Sequence, residues 1–86
     1  MKENYRMGAK FITDSGRIIM LCVIDIRYVV GEPKAYLTYS LICVGGTIDI
    51  GNRFTNPFES NQCEFTIDEL LENCNCRTKF TPINSK

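Results

Sequence analysis

Residues 17–30 read Arg17-Ile18-Ile19-Met20-Leu21-Cys22-Val23-Ile24-Asp25-Ile26-Arg27-Tyr28-Val29-Val30, and every even position from Ile18 to Val30 is apolar. Successive side chains of an extended chain point to opposite faces. The even set (Ile18, Met20, Cys22, Ile24, Ile26, Tyr28 and Val30) therefore predicts the buried face of one long strand. The odd set puts Arg17, Asp25 and Arg27 on the other face, with Ile19, Leu21 and Val23 between them. A half-buried sheet is the organising element.

Working outward, residues 7–13 predict a first short strand around Phe11 and Ile12, preceded by a frayed lead-in over residues 1–6. Asp14-Ser15-Gly16 supplies the turn between the two strands. On the other side, Gly31-Glu32-Pro33-Lys34 closes the long strand as a short hairpin. Residues 35–44 then return antiparallel, with Leu37, Tyr39, Leu41 and Cys43 on one face. Gly45-Gly46 interrupts that strand, and residues 47–50 predict a fourth with Ile48 and Ile50 inward.

Gly51-Asn52-Arg53-Phe54-Thr55-Asn56-Pro57-Phe58 is a loop by composition. One helix is expected over residues 67–73. Thr66 opens it and Glu69 follows at capping-box spacing, while Ile67, Leu70, Leu71 and Cys74 form its inward stripe. A last strand over residues 77–83 includes Phe80, and residues 84–86 are expected to be loose. This order predicts an α+β fold over residues 1–86 as a single domain. Its form is a strongly bent antiparallel sheet, a small Src-homology-3-like barrel, with one short C-terminal helix.

Composition narrows the chemistry by what is missing. The 86 residues contain no histidine, the side chain most used for acid–base catalysis, and no phosphate-binding glycine loop or nucleophile elbow. A protein that is not an enzyme is expected. Ten acidic and ten basic side chains cancel, which disfavours nucleic acid as a partner. No apolar run is long enough to span a bilayer and the polar N-terminus lacks a secretory pattern, so a cytoplasmic, membrane-free protein is expected. The five cysteines form an odd set, which fits free thiols, with Cys22 and Cys43 as core residues. Cys63, Cys74 and Cys76 offer one Cys-x-Cys without histidine, so neither a metal site nor a cofactor is expected.

The 51–58 loop carries the candidate site, because it gathers a guanidinium, two aromatics and two amides at a strand end. Arg53 suits phosphate, Phe54 suits stacking on a base and Asn52 suits polar edges, with Arg27 or Arg17 as supplementary charge. The competing reading is a structural turn, in which Phe54 and Phe58 staple the loop to the core and Arg53 pairs with Asp49 or Glu59.

Several short segments together carry a resemblance. They are Gly8-Ala9-Lys10-Phe11-Ile12, the Asp-Ser-Gly turn, the long strand, Gly51-Asn52-Arg53-Phe54-Thr55-Asn56-Pro57 and Thr66-Ile67-Asp68-Glu69. In this plan the chain resembles small β-rich phage and prophage proteins of Gram-positive bacteria, with Phe54 in place of a tryptophan. The resemblance implies a viral origin, the host cytoplasm and a counter-defence role. It further implies a homo-oligomer that sequesters a small, cyclic nucleotide immune signal at subunit interfaces. The apolar residues Ile19, Leu21, Val23 and Val29 on the outer face of the long strand suit such an interface and equally suit a position under the helix. The alternative is an inhibitor that binds a host defence protein through its sheet face or an exposed edge strand.

Overall fold

Alternating apolar residues at 18–27 and 36–45 make the two longest strands of the chain. The computed structural model describes residues 3–83, and the expected loose end at 84–86 lies outside them. The strands are β1 (Lys10–Thr13), β2 (Ile18–Arg27), β3 (Tyr36–Gly45), β4 (Phe58–Ser60) and β5 (Phe80–Pro82), with α1 (Ile67–Asn73) between the last two. All pairings are antiparallel in the order β4-β3-β2-β1-β5. The result is a strongly curled half-barrel with one short helix, an α+β fold.

The buried face of β2 is the odd one, which overturns the expectation from the sequence. Ile19 and Leu21 are fully buried and Val23 packs against the core. Ile18, Met20 and Cys22 are only half-buried, and Ile24, Ile26, Tyr28 and Val30 are exposed. The cause is a bulge. Val23 stands opposite Tyr39 and Asp25 opposite Thr38, so Ile24 is an extra residue. Residues directly opposite share a face. Asp25 and Arg27 are thereby rotated outward beside Thr38 and Tyr36, while Ile26 turns to the inner side opposite Leu37 and remains 50% exposed. The charges that marked odd positions as outward sit beyond the bulge, where parity has changed.

Other boundaries also move. β2 ends at Arg27 and the connection to β3 is the longer segment 28–35. β1 begins at Lys10 and β5 spans only Phe80–Pro82, which leaves Cys76 in the turn after the helix. Residues 47–50 form no strand. Ile48 is 99% exposed and Ile50 is also exposed, while the fourth strand is built from Phe58–Ser60. Tyr5 is not frayed: it bridges Phe65 through paired main-chain bonds of 2.7 and 2.9 Å.

Tyr39, Leu41 and Cys43 of β3 are buried, as the alternation predicts. They meet Phe11, Ile19 and Leu21 in one core closed by Phe65, Leu70 and Phe80. Two aromatic groups tie distant segments together. Tyr5 and Phe80 each meet Phe11 edge-on at 5.3 and 5.0 Å, and Tyr39 stacks on Phe58 while Phe65 meets both edge-on. Burial raises the Tyr39 phenol, and its hydroxyl donates to the Gln62 carbonyl at 2.7 Å.

The helix begins as its sequence predicts. Thr66 Oγ1 accepts from the Glu69 amide at 3.2 Å, and the Glu69 carboxylate accepts from the Thr66 amide at 2.8 Å. Leu70 is its buried residue, flanked by Ile67 and Leu71, and Cys74 at its C-cap is buried as well. Seven residues are too few for a helix to persist unaided, so packing and the cap hold it. Thr66→Ala is expected to cost about 1 kcal/mol, with a lower melting midpoint and an unchanged denaturant slope. An unaltered midpoint would remove the cap from the energetics.

Candidate functional site

The loop after β3 is held against that strand by main-chain bonds. Gly51 donates to Cys43 at 2.8 Å, Cys43 to Asn52 at 2.9 Å, and Phe54 to Leu41 at 2.7 Å. Arg53 thus stands opposite Ile42 as an isolated bridge. Cys43 and Leu41 point inward, so Ile42 and Arg53 point outward. Phe54, one residue on, turns inward and packs against the core. The staple reading describes Phe54, whose ring keeps only part of its surface for stacking.

The cations sort into paired and unpaired. Arg6 binds Glu64, Arg17 lies 3.5 Å from Asp49, and Arg27 grips Glu59 through two bonds of 2.9 and 2.8 Å while lying over the Tyr36 ring. Arg53 and Arg77 have no ion pair among the described residues, and of the two only Arg53 lies on this loop. Neither Asp49 nor Glu59 is its partner, since Arg17 and Arg27 hold them.

Asn52, Arg53 and Phe54 are contiguous, and Arg17 joins their end of the sheet through Asp49, whose carbonyl accepts from the Asn52 amide at 3.0 Å. Arg27 does not join them. It stands opposite Tyr36, six residues along β3 from the Ile42 that faces Arg53, roughly 20 Å away at ~3.3 Å per residue. What sequence reasoning missed is one row across the outer face: Lys10 opposite Met20, Met20 opposite Ile42, and Ile42 opposite Arg53. Only the strand register shows it.

Electrostatics at the Arg27 end make a measurable statement. Hydrogen bonding from Arg27 holds the Glu59 carboxyl below its ordinary value. A lowered carboxylate pKa contributes stability above the unfolded value, and that contribution is lost as pH falls through the folded value. The melting midpoint is therefore expected to fall on the acid side of the glutamate range, and Glu59→Gln should flatten that part of the pH profile. An unchanged profile would show that this exposed pair contributes nothing.

All five cysteines are free thiols. Cys43 and Cys74 are buried, Cys63 is exposed, and Cys22 is half-buried on the outer face rather than in the core. Burial pushes the Cys22 and Cys74 thiols up. Thr55 Oγ1 is buried without a hydrogen-bond partner among the described residues. Among these residues no group of three cysteines or acids is placed to hold a metal ion, and no helix is long and apolar enough to cross a membrane. Compared with known proteins, the chain has no significant match to a family model, a curated protein or a solved structure.

Proposed function

We propose that this chain is a non-catalytic binding protein that captures a small phosphate-bearing nucleotide at the 51–57 loop, as a decoy for an immune signal. The observation that carries this reading is Arg53: a guanidinium without an ion pair, on a loop pinned to β3, while Arg6, Arg17 and Arg27 are committed to carboxylates. An unpaired, outward guanidinium presents its fork of donors to a phosphate without first breaking a salt bridge. Asn52 supplies amide contacts beside it, and the exposed part of Phe54 gives an apolar wall. The resemblance to phage proteins supports an immune signal as the ligand and counter-defence as the setting. Arg17 reaches the same end of the sheet, whereas Arg27 is too distant to contribute to the same ligand.

Titration calorimetry with linear and cyclic mono-, di- and trinucleotides tests the reading. Stoichiometric heat is expected with at least one of them. Arg53→Ala should weaken that binding by roughly ten- to a hundredfold, the loss of a charge-assisted contact, without moving the melting midpoint. No heat with any nucleotide would contradict it.

The alternative, an inhibitor of a host protein, draws on the exposed apolar residues of the outer sheet face, such as Ile12 and Ile24. Strand addition is the less favoured form of it. β1 and its lead-in accompany β2 only to Leu21, but the edge beyond is blunted by the Ile24 bulge and by Asp25 Oδ1, which accepts from the Ile26 amide at 2.9 Å.

A further inference from the structure

We infer that the site at Arg53 continues across the outer face of the sheet to Lys10, and that its ligand is a linear di- or trinucleotide. Its phosphates are held at both ends of this strip, with a base between them on Met20 and Ile42. The inference rests on the reading of Arg53 as a phosphate contact and deepens it by naming the class of nucleotide.

Lys10, Met20, Ile42 and Arg53 stand directly opposite one another on four neighbouring segments, so their side chains share the outer face in one row. Lys10 and Arg53 are exposed, and neither has an ion pair among the described residues. The adjoining rows are uncharged, with Ile12, Ile18 and Gly45 on one side and Cys22 and Ser40 on the other. Asp14 and Asp25 stand beyond those rows, and Arg17 and Arg27 hold Asp49 and Glu59. A chain of zero net charge thus sets two free cations at the ends of one apolar strip, which favours an anion there.

The spacing of the cations selects the ligand. Lys10 and Arg53 are three strand spacings apart, roughly 14 Å at ~4.8 Å per spacing, and side chains on the convex side of a curled sheet diverge. One phosphate cannot bridge the two heads, and neither can the adjacent phosphates of a diphosphate. Phosphates separated by nucleosides can, and an open chain spans the distance better than a ring that holds its phosphates close together. Beside Met20 the face dips into a groove of about 410 Å³ whose lining includes Met7, Met20 and Cys22, a volume in the range of small-molecule sites. It stays open because Gly8, whose amide donates to the Leu21 carbonyl at 2.7 Å, has no side chain to fill it. Polarisable sulfur packs well against an aromatic ring, so this wall suits a flat base.

Calorimetry with adenosine monophosphate, adenosine diphosphate and 5′-phosphorylated linear di- and triadenylate tests this. The better of the two oligonucleotides should bind roughly tenfold or more tighter than either mononucleotide, although the diphosphate and the dinucleotide carry comparable charge. Lys10→Ala should abolish that gain and leave the mononucleotides unchanged, whereas Arg53→Ala should weaken every ligand. In a Cys63→Ser, Cys76→Ser background, the bound oligonucleotide should also slow maleimide alkylation of Cys22. If Arg53→Ala weakens the monophosphate but the oligonucleotides bind no tighter, if their gain survives Lys10→Ala, or if Cys22 stays equally reactive, this inference is overturned and the reading of Arg53 stands. No heat with any of the four ligands removes both. Affinity that keeps climbing through octa-adenylate would overturn the inference in favour of single-stranded nucleic acid.

Discussion

Leu21→Ala is expected to lower the unfolding free energy by about 2 to 5 kcal/mol, and Ile24→Ala, three positions along the same strand, by only about 0.5 kcal/mol. Leu21 is fully enclosed, so truncation loses its transfer free energy and leaves a cavity among Phe11, Leu41 and their neighbours. Ile24 is the extra residue of a bulge and is 40% exposed, so water fills the space its side chain leaves. Chemical denaturation of both variants, with equal denaturant slopes, reads the difference. The reverse order would mean that the even face of β2 is the core and that the register described above is off by one.

Gly46→Ala is the second large effect, expected at about 2 kcal/mol or more. Gly46 has a φ of +70°, and a Cβ there would drive into the carbonyl oxygen of Gly16, in the turn between β1 and β2. Backbone meets backbone, so neither side has a flexible end that can move aside. Gly31 is the matched control. It shares the positive φ, at +89°, but an added Cβ meets nothing within 4 Å. Gly31→Ala should therefore cost about 1 to 2 kcal/mol, from conformation alone. Equal melting midpoints for the two variants would show that the 13–17 turn and the end of β3 are not in contact.

The parts of this fold that are legible in the sequence are those set by local chemistry. Thr66 and Glu69 define the helix start because a capping box needs only neighbouring residues. The inward face of β3 is legible because Leu37, Tyr39, Leu41 and Cys43 alternate with partly polar neighbours. β2 misleads because both of its parities are apolar from Ile18 to Ile24. The deciding charges, Asp25 and Arg27, sit past a bulge that reverses their meaning, and a bulge is visible only against the partner strand. Ile48 and Ile50 alternate like strand residues, yet the chain at 47–50 turns instead of pairing, with Thr47 Oγ1 accepting from the Asp49 amide at 3.2 Å.

The candidate site divides in the same way. Composition marks the 51–57 loop, and the main chain fixes Asn52, Arg53 and Phe54 together. Which arginines are already neutralised depends on long-range geometry. The sequence offers Asp49 and Glu59 to Arg53, but strand register awards them to Arg17 and Arg27. That allocation leaves Arg53 available.

The most direct test of that availability is a backbone amide NMR titration of the native chain and of Arg53→Ala with the same set of linear and cyclic nucleotides. The expected result is a saturable set of shifts centred on Asn52, Arg53 and the facing Ile42, lost or weakened by roughly ten- to a hundredfold in the variant. Amides that stay unmoved by every nucleotide, or shifts at another surface that persist in Arg53→Ala, would contradict the assignment of this loop as an anion-binding site.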